Sequence, residues 1–218
     1  MIEQCATGVE WPQALCTVCV KVLPVDAAGL VVRGEERSQD TVTVSDGWSQ
    51  AIEELQYSLG EGPAAEARLG GDPVLVADVE AERGRWPWFA AASAEAGLGA
   101  MFAFPLHIGG IRLGALNLYR RRPGGLSADA LADAVLLADL AALALLESEL
   151  ADDHEKLRME VSYQDVHLAT GLLAAGLAIG LEEAFVRLRA HAFAERRTLL
   201  AVSRDVLERR IPVDRLAN

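Results

Sequence analysis

The arginines near the C-terminal end of the chain are not chemically equivalent. Glu183 lies four residues before Arg187 and Asp205 four before Arg209, the favoured order for helical ion pairs. Arg204 has Glu208 in the weaker, reversed order. Arg189, Arg196, Arg197 and Arg210 have no carboxylate three or four positions away within the helices expected there. A planar guanidinium without a partner, close to a helix start, suits phosphate recognition. The alternative is a solvated polar face.

Other reactive groups give weaker signals. Cys16-x-x-Cys19 has redox or zinc spacing, but it falls in an apolar helical stretch where such spacing puts both thiols on one buried face, and no second ligand pair exists. His107, at a strand end, could ligate haem or a metal; a solvated or hydrogen-bonded imidazole is the alternative. Trp86, Trp88, Phe89, Phe102 and Phe104 could wall an apolar ligand pocket, or be ordinary core. Arg120-Arg121-Arg122 could widen a nucleic-acid surface or end a strand in solvent. The chain has no phosphate-binding glycine loop with Lys-Ser/Thr, no His-Glu-x-x-His and no nucleophile elbow. Its carboxylates fall in solvated runs such as Glu35-Glu36 and Asp152-Asp153. No enzyme activity, cofactor or metal is expected.

Three short amphipathic helices must carry the C-terminal arginines. Leu181, Ala184, Phe185 and Leu188 share one face of the middle helix, and Leu199, Val202 and Val206 one face of the third, behind Thr198 as N-cap. Val166, Ala169 or Thr170, Leu173 and Leu177 make a narrower stripe on the first. The three faces close a small core and leave the arginines outside. Residues 161 to 211 resemble an ANTAR domain, the RNA-binding output module of bacterial transcription antiterminators. The likeness rests on Ala169-x-Gly171, Leu181-Glu182-Glu183-Ala184-Phe185, Leu188-Arg189-x-His191-Ala192 and Leu199-x-x-Val202-Ser203-Arg204-Asp205-Val206. It implies a three-helix fold that binds paired RNA hairpins. On that reading Arg189, Arg196, Arg197 and Arg204 contact phosphate, Thr198 adds a hydroxyl, and Ala169 with Gly171 permits close backbone approach. Leu168, Ala178 and Gly180 depart from the family pattern. Alanine is poorly suited to a left-handed helix end, so the first turn is expected to use Gly176 instead.

The chain has 218 residues, half of them apolar, enough for one good core and a small satellite domain. Net charge is −12, yet residues 161–218 carry eight Arg against seven acids, so the negative charge lies before them. Long-range attraction to RNA is therefore weak, and recognition must be local. Met1-Ile2-Glu3-Gln4 has no secretory character, and the longest apolar run, 134–146, is interrupted by Asp139 and too short for a bilayer. A cytoplasmic protein with no membrane segment is expected.

Before the tail, the pattern predicts a helix over 11–23, strands over 27–33 and 41–45, a short helix over 48–58, and a turn at Leu59-Gly60-Glu61-Gly62-Pro63 leading into a brief helix. A short strand over 73–79 and a helix from Trp86 to about Glu95 follow. Strands over 100–108 and 111–119 then meet at Gly109-Gly110. This α+β portion resembles a GAF domain, a small sensory fold, through the Gly60-Glu61-Gly62-Pro63 turn, Phe104-Pro105-Leu106-x-x-Gly109-Gly110 and Gly114-Ala115-Leu116-Asn117-Leu118-Tyr119. The likeness implies a mostly antiparallel sheet with flanking helices and a small-molecule or protein signal. Ala64 stands where relatives often have Cys, which argues against a thiol or metal sensor there.

Ser127 can cap a helix running without Gly or Pro to about Gln164. Leu136, Leu143, Leu150 and Leu157 fall seven apart, with Leu140 and Val161 in partner positions. The helix is apolar nearly all round between 134 and 146, so it needs two partners: its own sheet and a second subunit. The alternative keeps every leucine intrachain. The expected organisation is a GAF-like sensory domain at 1–146, a helical linker at 147–160 and an ANTAR-like domain at 161–218. The function expected is a homodimeric antitermination regulator binding RNA hairpins in leader transcripts. The alternative is a non-enzymatic scaffold whose C-terminal helices bind protein.

Overall fold

In the computed structural model, which describes residues 11–33, 39–150 and 163–217, the chain opens with α1 (Trp11–Val22), β1 (Ala27–Arg33), β2 (Gln39–Val44), α2 (Gly47–Leu59), α3 (Pro63–Gly70) and β3 (Val74–Val76). Next come α4 (Pro87–Glu95), β4 (Ala100–Ile108), β5 (Ile111–Arg120) and α5 (Ala128–Leu150). The five strands form one sheet in the order β2-β1-β5-β4-β3, antiparallel throughout. The α+β class and the element order match the sequence reading. The third strand is shorter than expected: the Asp78 carboxylate accepts from the Glu80 N–H at 3.1 Å and turns the chain into a 3-10 segment, Glu80–Gly84.

Both faces of the sheet are covered, which is why β4 and β5 are apolar nearly throughout. Phe102, Phe104, Leu116 and Leu118 face α1 and α5, among Cys16, Cys19, Ala134, Ala138 and Ala141. Met101, Ala103 and Tyr119 face α2, α3 and α4, among Ile52, Ala67 and Phe89. Each fully buried Leu or Phe contributes about 1.5–3 kcal/mol. Gly114 is required where β5 passes β1, since a Cβ there would lie 1.9 Å from the Val31 carbonyl oxygen.

Ser127 caps α5 by accepting from the Ala130 N–H at 3.2 Å. The helix lays its alanines on the sheet and turns Leu136, Leu140 and Leu143 outward, 58%, 51% and 53% exposed. The expected extension of this helix to Gln164, with Leu157 and the side chain of Leu150, lies outside the described residues.

The tail folds as α6 (Gln164–Leu177), α7 (Leu181–Ala194) and α8 (Leu199–Leu207), closed by a 3-10 turn, Val213–Leu216. Its core holds Val166, Ala169, Leu173, Ala184, Leu188, Leu199, Val202 and Val206, the faces anticipated from periodicity. The expectation about the first turn is corrected. Ala178 itself takes the left-handed position, at φ 55°, and its N–H reaches the Ala174 carbonyl. Gly176 stays helical, because a Cβ there would come within 2.8 Å of the Val213 Cγ1. That glycine serves packing against the 3-10 turn, and Ala178 accepts backbone strain of about 1 kcal/mol. No single helix among the described residues is long and apolar enough to cross a membrane.

Candidate functional site

Most of the groups singled out in the tail meet the sheet domain along one seam. It is built on α2, which starts with a capping box between Asp46 and Ser49 and stops at Gly60 in the left-handed conformation. At its last turn Tyr57 leaves its own domain and stacks on Tyr163, with centroids 3.7 Å apart, and meets the edge of Phe185 at 6.4 Å. The Ser58 carbonyl accepts from Arg189 Nε at 2.7 Å, and its hydroxyl accepts from the Leu199 N–H at 3.4 Å. Glu54 lies beside the Thr198 hydroxyl, and burial there raises its pKa. Trp88, on α4, meets Phe193 edge-on at 5.1 Å. Glu61 orients α4 by accepting from the Trp88 and Phe89 N–H groups at 3.1 and 3.2 Å. Between α2, α4 and the α7–α8 turn lies a cleft of about 880 Å³.

The phosphate-contact candidates have four different fates. Arg189 is half-buried in the seam, and desolvation pushes its guanidinium below the ordinary value although Glu61 and Tyr57 act in the other direction. A Cβ at Gly60 would fall 1.9 Å from its Nη2, so only glycine leaves room for it. Arg197 pairs with Asp205 at 2.5 Å and Glu195 at 3.6 Å, and its pKa is raised, chiefly by the Asp205 hydrogen bond. Arg204 pairs with Asp165 at 2.9 Å rather than with Glu208. Arg196 is exposed, held at φ 52°, and makes no ion pair among the described residues. Arg210, also unpaired by spacing, reaches Asp205 at 2.6 Å and Glu208 at 2.6 Å. Of the expected helical pairs Glu183–Arg187 forms, at 2.7 Å. Asp205–Arg209 does not: α8 ends at Leu207 and Arg209 is left-handed, φ 60°, which removes the i, i+4 geometry.

Thr198 is the N-cap of α8, accepting from the Ala201 N–H at 3.1 Å, as predicted. Ala169 is corrected: it is fully buried in the three-helix core and offers no surface for close approach. Gly171 faces open space. The five aromatics do not wall one pocket. Phe102 and Phe104 lie on the α1–α5 side of the sheet, Trp86 and Phe89 on the other, and Trp88 points into the seam, 58% exposed. Strand alternation separates what the sequence clusters. His107 is exposed, and no group of three metal-ligating side chains occurs among the described residues. Arg121 stacks over Trp48 at 4.0 Å, while Arg120 donates to the Gly124 and Gly125 carbonyls at 3.0 and 3.2 Å, so that basic run serves local structure. Cys16 and Cys19 are buried on one face, and burial pushes the Cys19 thiol up to about 11.

Sequence reasoning missed the polar interior of α2. Glu53 is buried and accepts from Asn117 Nδ2 at 2.5 Å, from Gln56 Nε2 at 3.2 Å and from the Tyr119 hydroxyl. Gln56 Oε1 in turn accepts from the Ala64 N–H at 3.0 Å, tying the Gly-Glu-Gly-Pro turn to the helix. Burial raises the Glu53 pKa despite these donors. Between the ordinary carboxyl value and the raised one, the folded state holds a proton that the unfolded chain has released. Stability therefore falls as pH rises through that window. In Glu53→Gln, urea denaturation from pH 5 to 7.5 should show this slope flattened. Gln56 would also lose an acceptor, a cost of about 1 kcal/mol.

The family model for the GAF domain matches residues 13–146, more than half of the chain, and ends before α6. Solved structures agree. The GAF domain of a phosphoenolpyruvate-protein phosphotransferase from Coxiella burnetii superposes with TM-score 0.53 at 19% identity, covering 67% of this chain and 88% of that one. The corresponding domain from Acinetobacter gives 0.52 at 12%, covering 65% and 84%. GAF3 of Slr1393 from Synechocystis sp. PCC6803 gives 0.51 at 16%, covering 64% and 93%. At such identities these likenesses show the fold alone. No curated protein matches the chain. The chain belongs to the GAF domain family, its five-stranded sheet and flanking helices forming a ligand-sensing signalling module that is followed by the C-terminal helices α6–α8.

Proposed function

We propose that the chain is a non-enzymatic, cytoplasmic regulator in which the GAF domain controls an ANTAR-like RNA-binding tail, two copies acting together on paired hairpins of a leader transcript. One observation carries this reading: the sensory domain seats α2 on the side of the three-helix bundle that presents Arg189 and Thr198. A sensor that half-buries one contact residue of its output, Arg189, and borders a second, Thr198, has a direct means of control. The described arrangement is then the silent state, and signal-driven undocking frees Arg189. The ion pairs of Arg197 and Arg204 lie at the surface, where solvent screening leaves them weak enough for phosphate to displace the carboxylates. The outward leucines of α5 supply the face on which a second copy packs.

The test is a fluorescence titration of a tandem stem-loop RNA at fixed salt, with a single-stranded control of equal length. Arg196→Gln/Arg204→Gln should weaken stem-loop binding about tenfold and lower the salt dependence by about two ions. Equal affinity for the two RNAs, or an unmoved titration, would overturn the reading. The pairing of Arg197 and Arg204 with Asp205 and Asp165 favours a second reading, a protein-binding scaffold, which predicts no RNA titration at all.

A further inference from the structure

We infer that the cleft between the GAF domain and the tail is a ligand site for a small amphipathic anion, an apolar body carrying one carboxylate or sulfonate. This goes beyond the RNA reading and does not depend on it. The volume, about 880 Å³, lies within the range of small-molecule sites, roughly 300–1,000 Å³. The floor is apolar: Leu55 and Leu59 come from α2, Ala91 and Ala92 from α4, and Phe193 from α7. Phe89 and Ala90 point into the sheet core, so the next two residues, Ala91 and Ala92, are left to line the cleft with small side chains.

The charge on the rim selects the ligand. Arg189 and Arg196 both line the cleft, and neither makes an ion pair among the described residues. Arg189 is half-buried over the Phe185 ring with the neutral Ser58 carbonyl as its hydrogen-bond acceptor, and Glu61, outside the lining, offsets only part of the burial that disfavours its charge. Arg196 takes the left-handed position that ends α7, its own N–H reaching the Phe193 carbonyl and that of Arg197 the Ala192 carbonyl, which fixes its backbone beside the cleft. The acids on the same lining do not neutralise the pair: neither Glu54 nor Glu95 makes an ion pair with either arginine among the described residues. Arg197, also on the lining, is committed to Asp205. An anion clamped by the two guanidinium groups, with its apolar body on the alanines, would touch both domains and set how firmly they dock.

The anionic dye 1-anilinonaphthalene-8-sulfonate and its neutral analogue N-phenyl-1-naphthylamine test this with the full chain. The sulfonate should bind one per chain and be displaced by decanoate. Arg189→Gln/Arg196→Gln should weaken it at least tenfold while changing the neutral dye less than twofold. Ala92→Trp, which fills the floor, should remove both. Leu136→Glu/Leu143→Glu, on the far exposed apolar stripe, should change neither. Thermal melts establish that each variant is folded; if Ala92→Trp is not, Ala91→Leu replaces it. Equal binding of the two dyes, an unchanged affinity in the arginine variant, or loss on altering the α5 stripe would overturn the assignment. All three outcomes leave the RNA titration unaffected, so the two proposals fail separately.

Discussion

Replacing Tyr57 with alanine is expected to raise the affinity of the full chain for a tandem stem-loop RNA by about tenfold or more. The tyrosine belongs to the sensory domain by sequence but is buried with the tail, stacked on Tyr163 and edge-on to Phe185. Truncating a buried aromatic at such a seam removes about 2–4 kcal/mol, and most of that loss bears on the docked state. If docking masks Arg189, a population shift of that size appears as tighter binding. Gly60→Ala should move the affinity in the same direction by a smaller factor. It drives the Arg189 guanidinium out of the seam while leaving both cores intact, at a local cost of about 1 kcal/mol for the left-handed alanine. Both are read by fluorescence titration beside a thermal melt. A drop in affinity in a folded Gly60→Ala chain would mean that the seam helps RNA binding rather than hiding it.

The double substitution Leu136→Glu/Leu143→Glu is expected to convert a dimer to a monomer and to weaken binding of a two-hairpin RNA by about 100-fold. Single-hairpin affinity should stay nearly the same. Leu136, Leu140 and Leu143 project from a helix whose opposite side is sealed on the sheet by alanines, so the exposed row is free for a partner. Glutamates facing one another across a symmetric seam repel, and bivalent contact of two tails with two hairpins multiplies affinity by about 10²–10⁴. Because the positions are more than half exposed, the substitutions should change stability by less than about 0.5 kcal/mol. Analytical ultracentrifugation supplies the readout. A wild-type chain that sediments as a monomer at high concentration would remove the second copy from the mechanism.

The sheet domain was largely legible because its signals are local. Two apolar runs, Ala100–Ile108 and Ile111–Arg120, with Gly109-Gly110 between, give the hairpin, and the turn glycines punctuate the helices. The faces of the tail were equally plain from the spacing of Ala184 and Leu188 and of Leu199, Val202 and Val206, whereas Leu181, expected on the same face, is 64% exposed at the first residue of α7. The seam was not legible. Arg189 meets Ser58 across 131 positions, and nothing in helical spacing joins them. Arg197 finds Asp205 eight residues on, across the turn into α8, where i, i+4 rules do not apply. Arg204 finds Asp165 on another helix. Glu53 carries no signal of its own in the sequence, and only the sheet's Asn117 and Tyr119 reveal its burial.

Tyr57 has one more consequence. Its ring completes the oily interior of a bundle that begins more than a hundred positions later, so the last sixty or so residues, cut away, would be missing a piece of themselves. Heat should therefore melt the severed tail below the intact polypeptide, although its own Val166, Leu173, Leu188 and Val202 still close a core.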